Sequence, residues 1–284
     1  MDLTSQVIEA INAWLASLVT EILGPSLAVA GQLLFVTPTF DQIPQIQRSW
    51  ELVRGVADAL FVVAWLGAGL LVMTAGGTDS RYSAKVLVPR VALAAVLANA
   101  SLAICGGLIR LNNALVTGLL GPTPAASAVA GLAQLVTSGH AGSQVLGILI
   151  GLAAAVLAVM LVALFIGRDL VLLVATVMAP LALATYALPQ TEELARLWWR
   201  VFGALLFVQV GQAVLVQIGA ELVVHTDWLG GPVPGLVSGL LAVTVLYLLF
   251  KLPFAAYHWA FRQPIGHTAL VRTVLVGARA LRAA

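Results

Sequence analysis

The chain has 284 residues, of which only 14 are Lys or Arg and 12 are Asp or Glu, and its formal net charge is +2. Hydrophobic residues make up 61% of the sequence, and the mean hydropathy is +1.03. Soluble domains carry about a quarter charged residues, so this composition excludes an ordinary soluble protein. It predicts an all-α, polytopic helical membrane protein whose solvent is largely lipid.

The N-terminal segment, residues 4–36, differs from the rest of the chain. Its apolar residues follow helical spacing, but Glu9 and Glu21 interrupt the run, and Gly24 and Pro25 are expected to end the helix. We interpret it as an external amphipathic helix that lies on the membrane or on partner proteins. A spanning helix is the alternative. With the linker that contains Pro38 and Pro44, it forms a first region, residues 1–52.

Five apolar runs of about 20 residues each are long enough to cross the hydrocarbon core of a bilayer. Every backbone polar group must be satisfied internally there, which makes these runs helices. They lie in a transmembrane domain, residues 53–262, and a basic tail, residues 263–284, follows. The runs are Val56–Ala75, Val86–Ile109, Val145–Gly167, Val201–Ala220 and Val237–Ala256.

A sixth apolar stretch, Leu170–Leu188, has Pro180 at its middle. Proline inside a helix removes a hydrogen bond and kinks or breaks the helix. Only Gly167, Arg168 and Asp169 separate this stretch from the preceding run, so Leu170 either continues the same helix or starts a half-helix that turns back at Pro180. We favour about five transmembrane helices plus a broken re-entrant segment.

The distribution of basic residues predicts the orientation, because Lys and Arg concentrate in cytoplasmic loops. If the N-terminus is outside and Leu170–Leu188 does not cross, 11 basic residues lie inside and three lie outside, namely Arg48, Arg54 and Arg110. If Leu170–Leu188 crosses, the best orientation has the N-terminus inside, with 10 basic residues against four. Both arrangements put the C-terminal tail in the cytoplasm, and we expect residues 1–45 to be outside.

Two groups of polar residues interrupt the apolar runs. Arg168 and Asp169 form the one charged pair between Val145 and Leu188, and an ionisable pair at membrane depth is a candidate functional site. The alternative is a solvated cytoplasmic turn. In the fourth run, Gln209, Gln212 and Gln217 fall within about 140° of one another on a helix. They are candidates for a polar pathway lining, and ordinary hydrogen bonding between helices is the alternative.

Two pairs of glycines have the GxxxG spacing that lets helix backbones approach closely. They are Gly147 with Gly151, and Gly235 with Gly239. We expect these positions to pack against other helices, some of them from other copies of the chain. Cys105 is read as a small packing residue.

Residue patterns typical of catalysis are missing from the sequence. It contains no Gly-rich loop followed by Lys-Ser or Lys-Thr that would bind a nucleotide. The four histidines, His140, His225, His258 and His267, are scattered, and no acidic pair marks a magnesium site. We therefore expect a protein that is not an enzyme, with no catalytic residues, no cofactor and no metal site.

The stretch from Arg168 to Gly219 resembles a known family. It contains an Arg entering an apolar stretch, then Ala179-Pro180-Leu181-Ala182, Leu188-Pro189, Thr191-Glu192, a helix start at Ala195 to Trp198, and a span with Gln209. These elements resemble the TrbL-like polytopic inner-membrane subunits of type IV secretion (conjugation) systems.

The resemblance implies a channel or platform subunit with an external N-terminus and several helices in the bacterial cytoplasmic (inner) membrane, which agrees with the cytoplasmic C-terminus predicted from the basic residues. Such a subunit is expected to form a homo-oligomer among membrane lipids and other secretion subunits, including separate cytoplasmic ATPases. It would help to translocate DNA or protein without sequence-specific nucleic-acid binding. The alternatives are a secondary transporter of a small solute and a lipid-modifying membrane enzyme. Copurification of other secretion proteins would separate them from a conduit.

Overall fold

The computed structural model describes residues 3–74, 84–120, 144–188, 191–224 and 235–262, and these residues contain helices and no strand. Short 3-10 turns lie at Phe40–Gln42 and Thr185–Ala187. The predicted all-α fold is confirmed. The helices are α1 Leu3–Phe35, α2 Pro44–Thr74, α3 Ala84–Leu120, α4 Gln144–Val177, α5 Ala179–Ala184, α6 Glu192–Val224 and α7 Gly235–Arg262.

Among the described residues, five helices are long and apolar enough to cross a membrane. Four of them, α3, α4, α6 and α7, contain runs that the sequence predicts. The fifth is α1, with the segment Gln6–Leu34. The predicted span Val56–Ala75 falls on the second half of α2, and several of its side chains lie outside the described residues. The chain is therefore a polytopic helical membrane protein.

Helix α1 continues through Pro25 to Phe35, so the prediction that Gly24 and Pro25 end it is wrong. Pro25 removes one backbone donor. However, Leu23, Leu27 and Leu34 form one buried stripe that extends across the proline, and each is at most 3% exposed. Because both sides of Pro25 pack against the same core, the helix persists across it. Proline is tolerated in such helices when neighbouring helices shield the backbone.

Helix α4 runs without interruption from Gln144 to Val177. Arg168 and Asp169 therefore lie within a helix, and the alternative of a solvated turn at this pair is wrong. The helix is interrupted at Met178, and Pro180 occupies the first turn of α5, where its missing N–H costs little. The N–H of Met178 still donates to Val174 O at 2.9 Å, and the N–H of Ala182 donates to Met178 O at 3.0 Å. Re-entry of this segment into the membrane stays a prediction.

The chain forms two compact units. Unit 1 comprises residues 1–38, 111–170 and 205–256, and unit 2 comprises residues 39–110, 171–204 and 257–284. The division predicted after residue 52 falls within α2. The loop 121–143 and the basic tail 263–284 lie outside the described residues.

In unit 1, helices α1, α4 and α7 run in the same direction. Val19 packs against Gly151, and further along both helices Thr37 contacts Arg168, so α1 and α4 are parallel. Ile150, near the start of α4, packs against Gly239, near the start of α7. Leu161 and Phe165 of α4 also meet Leu246 and Leu249 of α7, which are later in both helices.

Helix α6 runs in the opposite direction to α7 within unit 1. Gly219 packs against Val245, and Gly211, earlier in α6, packs against Leu252, later in α7. A Cβ atom at Gly219 would lie 2.9 Å from Val245 Cγ1, which is too close for any larger residue without movement. Small residues therefore set the closest approaches between these helices, as is usual for helices packed in lipid.

In unit 2, the antiparallel helices α2 and α3 are joined by polar contacts. Arg110 Nη1 binds Asp41 Oδ2 at 2.6 Å, and the Trp50 indole donates to Ser101 Oγ at 2.9 Å. A cavity of about 300 Å³ lies between residues 60–67 of α2 and a second wall formed by residues 181–188 and Thr191, with an almost entirely apolar lining. The carboxylate of Glu192, at the start of α6, accepts from Arg90 and Arg196.

The contact between Gly151 and Val19 generates a prediction about stability. A Cβ at Gly151 would lie 2.8 Å from Val19 Cγ1, and a β-branched side chain has little freedom to move away. We expect Gly151→Ala to lower the unfolding temperature in mild detergent, because overpacking costs about 1–3 kcal/mol. Val19→Ala should restore stability to the Gly151→Ala variant.

The matched control is Gly167→Ala on the same helix, where no atom lies within 4 Å of the Cβ position. This change should be neutral or stabilising by up to about 1 kcal/mol. Equal unfolding temperatures for the two alanine variants would contradict the packing described for α1 and α4.

Candidate functional site

Unit 1 contains a set of polar side chains of which all but the half-buried Asn113 are almost completely buried. Thr37 and Gln209 are 0% exposed, Arg168 is 2% exposed and Asp169 is 9% exposed. They come from the end of α1 and from α3, α4 and α6. We call this set the polar cluster, and its members are Thr37, Asn112, Asn113, Arg168, Asp169 and Gln209.

Arg168 forms an ion pair with the next residue of α4. Its Nη2 lies 2.8 Å from Asp169 Oδ1, and its Nε lies 3.2 Å from the same oxygen. The same Nη2 donates to the Thr37 hydroxyl at 2.5 Å, while Nη1 is buried without a hydrogen-bond partner. The pair compensates the charge of the guanidinium, since an unpaired buried charge is very costly, but it leaves one donor unsatisfied.

Gln209 of α6 connects α1 with α3. Its Oε1 accepts from the Thr37 hydroxyl at 2.8 Å and from Asn112 Nδ2 at 2.6 Å. Its Nε2 donates to Leu34 O at 2.7 Å. Leu34 lies in the last turn of α1, where carbonyl groups have no partner within the helix. Gln209 therefore caps the end of α1 from a neighbouring helix.

Asn113 of α3 holds the main chain of Thr37 at two points. Its Nδ2 donates to Thr37 O at 2.8 Å, and its Oδ1 accepts from the Thr37 N–H at 3.1 Å. Together with the two bonds of the hydroxyl, these contacts satisfy every polar atom of Thr37. Thr37, the second residue after α1, is thus fixed by three other helices.

The structure brings together some of the predicted site residues and separates others. Arg168, Asp169 and Gln209 share the polar cluster. Gln212, one turn along α6, is buried and donates to Leu249 O at 3.1 Å, while its Oε1 has no partner. Gln217 is half-buried and lies about 12 Å further along the helix axis than Gln209. Pro180 is buried in unit 2.

The predicted packing glycines lie on α4 and α7. Gly147 and Gly151 are buried in α4, and Gly151 receives Val19 of α1. A Cβ at Gly239 would lie 3.2 Å from Ile150 Cγ2. Gly235 is the first residue of α7. The contacts of Gly151 and Gly239 are made within one copy of the chain, and contacts with a second copy stay a prediction.

Three members of the polar cluster were missed by the sequence interpretation. Asn112 and Asn113 had a detectable signal, because they are adjacent amides inside an apolar helix, and polar groups in such helices face the bundle interior. Thr37 had none, because it looks like an ordinary residue of a proline-containing linker. Its role depends on where α1 ends relative to three distant helices.

The chemistry of the polar cluster is hydrogen bonding around one ion pair. It combines a guanidinium, a carboxylate, three amide side chains and a hydroxyl. Within the residues that the structure describes, no group of three or more His, Cys, Asp and Glu side chains could hold a metal ion. The arrangement can fasten helices to one another, and it can line a polar path when water reaches it.

A family model for TrbL/VirB6 plasmid conjugal transfer like protein matches residues 1–284, the full length of the chain. No curated protein and no solved structure is significantly similar to it. The match confirms the resemblance seen between Arg168 and Gly219 and extends it to the whole sequence. The chain belongs to the TrbL/VirB6-like family of plasmid conjugal transfer proteins, and it is a membrane subunit of a multi-subunit type IV secretion machine.

Proposed function

We propose that this subunit is a non-enzymatic channel or platform through which a conjugation machine passes DNA or protein across the bacterial cytoplasmic membrane. The observation that carries the proposal is the buried ion pair of Arg168 and Asp169, with its polar cluster, inside helices that are long and apolar enough to span. Charged groups at such positions are expensive, and they mark pathways and functional sites in membrane proteins.

The composition of the polar cluster suits a conduit. Its side chains come from three helices and converge on one point at the end of α1. An extended polymer is much wider than the space inside one small helix bundle, so a homo-oligomer is part of the proposal. Energy would come from separate cytoplasmic ATPases, consistent with a sequence that has no nucleotide-binding Gly-rich loop.

The helix directions in unit 1 refine the proposed orientation. With the basic tail in the cytoplasm, α7 ends at the cytoplasmic side. Because α1 is parallel to α4, and α4 is parallel to α7, the start of α1 would then be outside and Thr37 would face the cytoplasmic side. This orientation replaces the expectation that residues 1–45 are all external, because Thr37 would lie at the cytoplasmic side.

Labelling of introduced cysteines tests this orientation. Gln6 and Pro38 are exposed residues near opposite ends of α1, and the native Cys105 is buried. In spheroplasts, a membrane-impermeant thiol reagent should label Gln6→Cys, and it should label Pro38→Cys only after permeabilisation. A reporter enzyme that works only in the cytoplasm should be active when it is fused after Ala284, and a reporter that works only outside should be inactive there. The reverse labelling pattern, or an external reporter, would refute the orientation.

A transfer assay tests the role of the ion pair. Arg168→Ala leaves Asp169 buried without its cation and removes a donor from Thr37, so we expect transfer to fall at least about tenfold at near-normal membrane abundance. Arg54→Ala is the matched control. Arg54 also has a carboxylate partner on its own helix, because its Nε lies 4.0 Å from Asp58 Oδ2, but both of these side chains are more than 40% exposed. Exposed pairs contribute little, and this variant should transfer normally.

A second variant separates function from stability. Arg168→Ala combined with Asp169→Ala removes both charges, so no unpaired charge stays buried. If this double variant inserts normally and transfers DNA or protein at the wild-type rate, the ion pair has no role in the pathway and the proposal fails.

A further inference from the structure

We propose that the second half of α1 and the two residues after it, residues 25–37, form a lid over the polar cluster, hinged at Gly24 and Pro25 and fastened at Thr37. The inference rests on the proposed function, because the surface that the lid covers is the proposed polar path. Opening the lid would expose Asn112, Arg168 and Gln209 together.

The fastening is concentrated in the last few residues of the lid. Thr37 makes two hydrogen bonds with Asn113, accepts one from Arg168 and donates one to Gln209. Gln209 also donates to Leu34 O at 2.7 Å. Five hydrogen bonds to three helices therefore lie within four residues of the chain.

The hinge lies between two different kinds of attachment. Before it, Val19 fits against Gly151 and fixes the first half of α1 to α4. At the hinge itself, Pro25 offers no N–H to the carbonyl of Glu21, and no atom lies within 4 Å of the Cβ position at Gly24. This point of α1 is therefore weak in backbone hydrogen bonding and free of steric obstruction.

Apolar contact alone does not hold the lid in a membrane. Leu27, Ala30 and Leu34 are buried against apolar residues of the other helices of unit 1. Lipid tails are as apolar as these residues, so burial supplies no hydrophobic driving force. The packing is also incomplete, because a void of about 20 Å³ with an entirely apolar lining lies beneath these residues. The hydrogen bonds at Thr37 are the specific attachment.

The open state must be hydrated. Buried charge and amide groups cannot face lipid without partners, so water must replace Thr37 and Leu34 when the lid lifts. Arg168 Nη1, which has no partner in the closed arrangement, would gain one. This unsatisfied donor raises the free energy of the closed state and brings the two states closer together.

Thiol accessibility under the lid tests the proposal. Val216 of α6 is 1% exposed and lines the void against Leu27, Ala30 and Leu34. The Val216→Cys protein, purified and reconstituted in phospholipid vesicles, is treated with a charged methanethiosulfonate reagent. The native Cys105, buried in unit 2, reports any general unfolding.

We expect Thr37→Val to raise the labelling rate about tenfold, because each of its two lost hydrogen bonds changes the closing equilibrium about threefold. Adding Asn113→Leu removes two more bonds and should raise the rate on the order of 100-fold. Thr37→Ser keeps the hydroxyl and should label as slowly as the parent. The matched control is Thr20→Val, which removes a hydroxyl of α1 that bonds only carbonyls of its own helix, and it should also label slowly.

Equal labelling of the Thr37→Val and Thr37→Ser proteins, with Cys105 unreactive, overturns the lid. If Cys105 also reacts in the Thr37→Val protein, that variant has partly unfolded. The Asn113→Leu variant on its own, which removes two hydrogen bonds to Thr37, then takes its place in the comparison with Thr37→Ser. The assay needs no secretion machine, so its result is independent of transfer. Fast labelling in Thr37→Val supports the lid even if Arg168 variants transfer normally, and slow labelling refutes it even if those variants fail.

Discussion

Arg168 and Asp169 are only 2% and 9% exposed, and they lie inside a helix apolar enough to cross a membrane. Leaving one partner of such a pair alone costs about 3–5 kcal/mol, and water is not available in hydrocarbon to replace it. The surrounding side chains must therefore be arranged to accept the guanidinium. Thr37 does so directly. Gln209 and Asn113 in turn hold Thr37 and the end of α1, and Asn112 donates to Gln209.

The same constraint explains how the helices of unit 1 associate. In lipid, helices are held by close packing and by hydrogen bonds between them. Close packing occurs where a glycine receives a branched side chain, as at Gly151 with Val19 and Gly219 with Val245. Hydrogen bonding occurs at the polar cluster. In the proposed conduit, close packing would keep the bundle together and the polar cluster would line the path.

Most of the fold could be predicted from the sequence, because apolar runs of sufficient length dictate helices in lipid. Pro25 and Pro180 show that apolar length alone does not predict where a helix ends. Pro25 does not end α1, since a buried stripe extends across it, whereas helix α4 ends at Val177, shortly before Pro180. The local chemistry of the two residues is the same, and tertiary packing decides the outcome. This is also why α1 was expected to be shorter than it is.

The candidate site was partly predictable for a related reason. Charged and amide residues are conspicuous in apolar helices, so Arg168, Asp169 and Gln209 could be found by inspection. Thr37 could not, because its contacts join residues that are 76, 131 and 172 positions apart in sequence. Only the fold brings these positions together. Gln217 shares a helix face with Gln209 but lies too far along the axis to join the polar cluster.

The central claim is that the end of α1 is held through a hydrogen bond between Thr37 and Gln209 inside the helix bundle of unit 1. A double-mutant cycle of Thr37→Val and Gln209→Leu on the free energy of unfolding in bicelles measures that coupling most directly. We predict a coupling energy of about 0.6–2 kcal/mol. The matched cycle of Thr37→Val with Gln217→Leu should give a value near zero. Coupling near zero in both cycles would contradict the account.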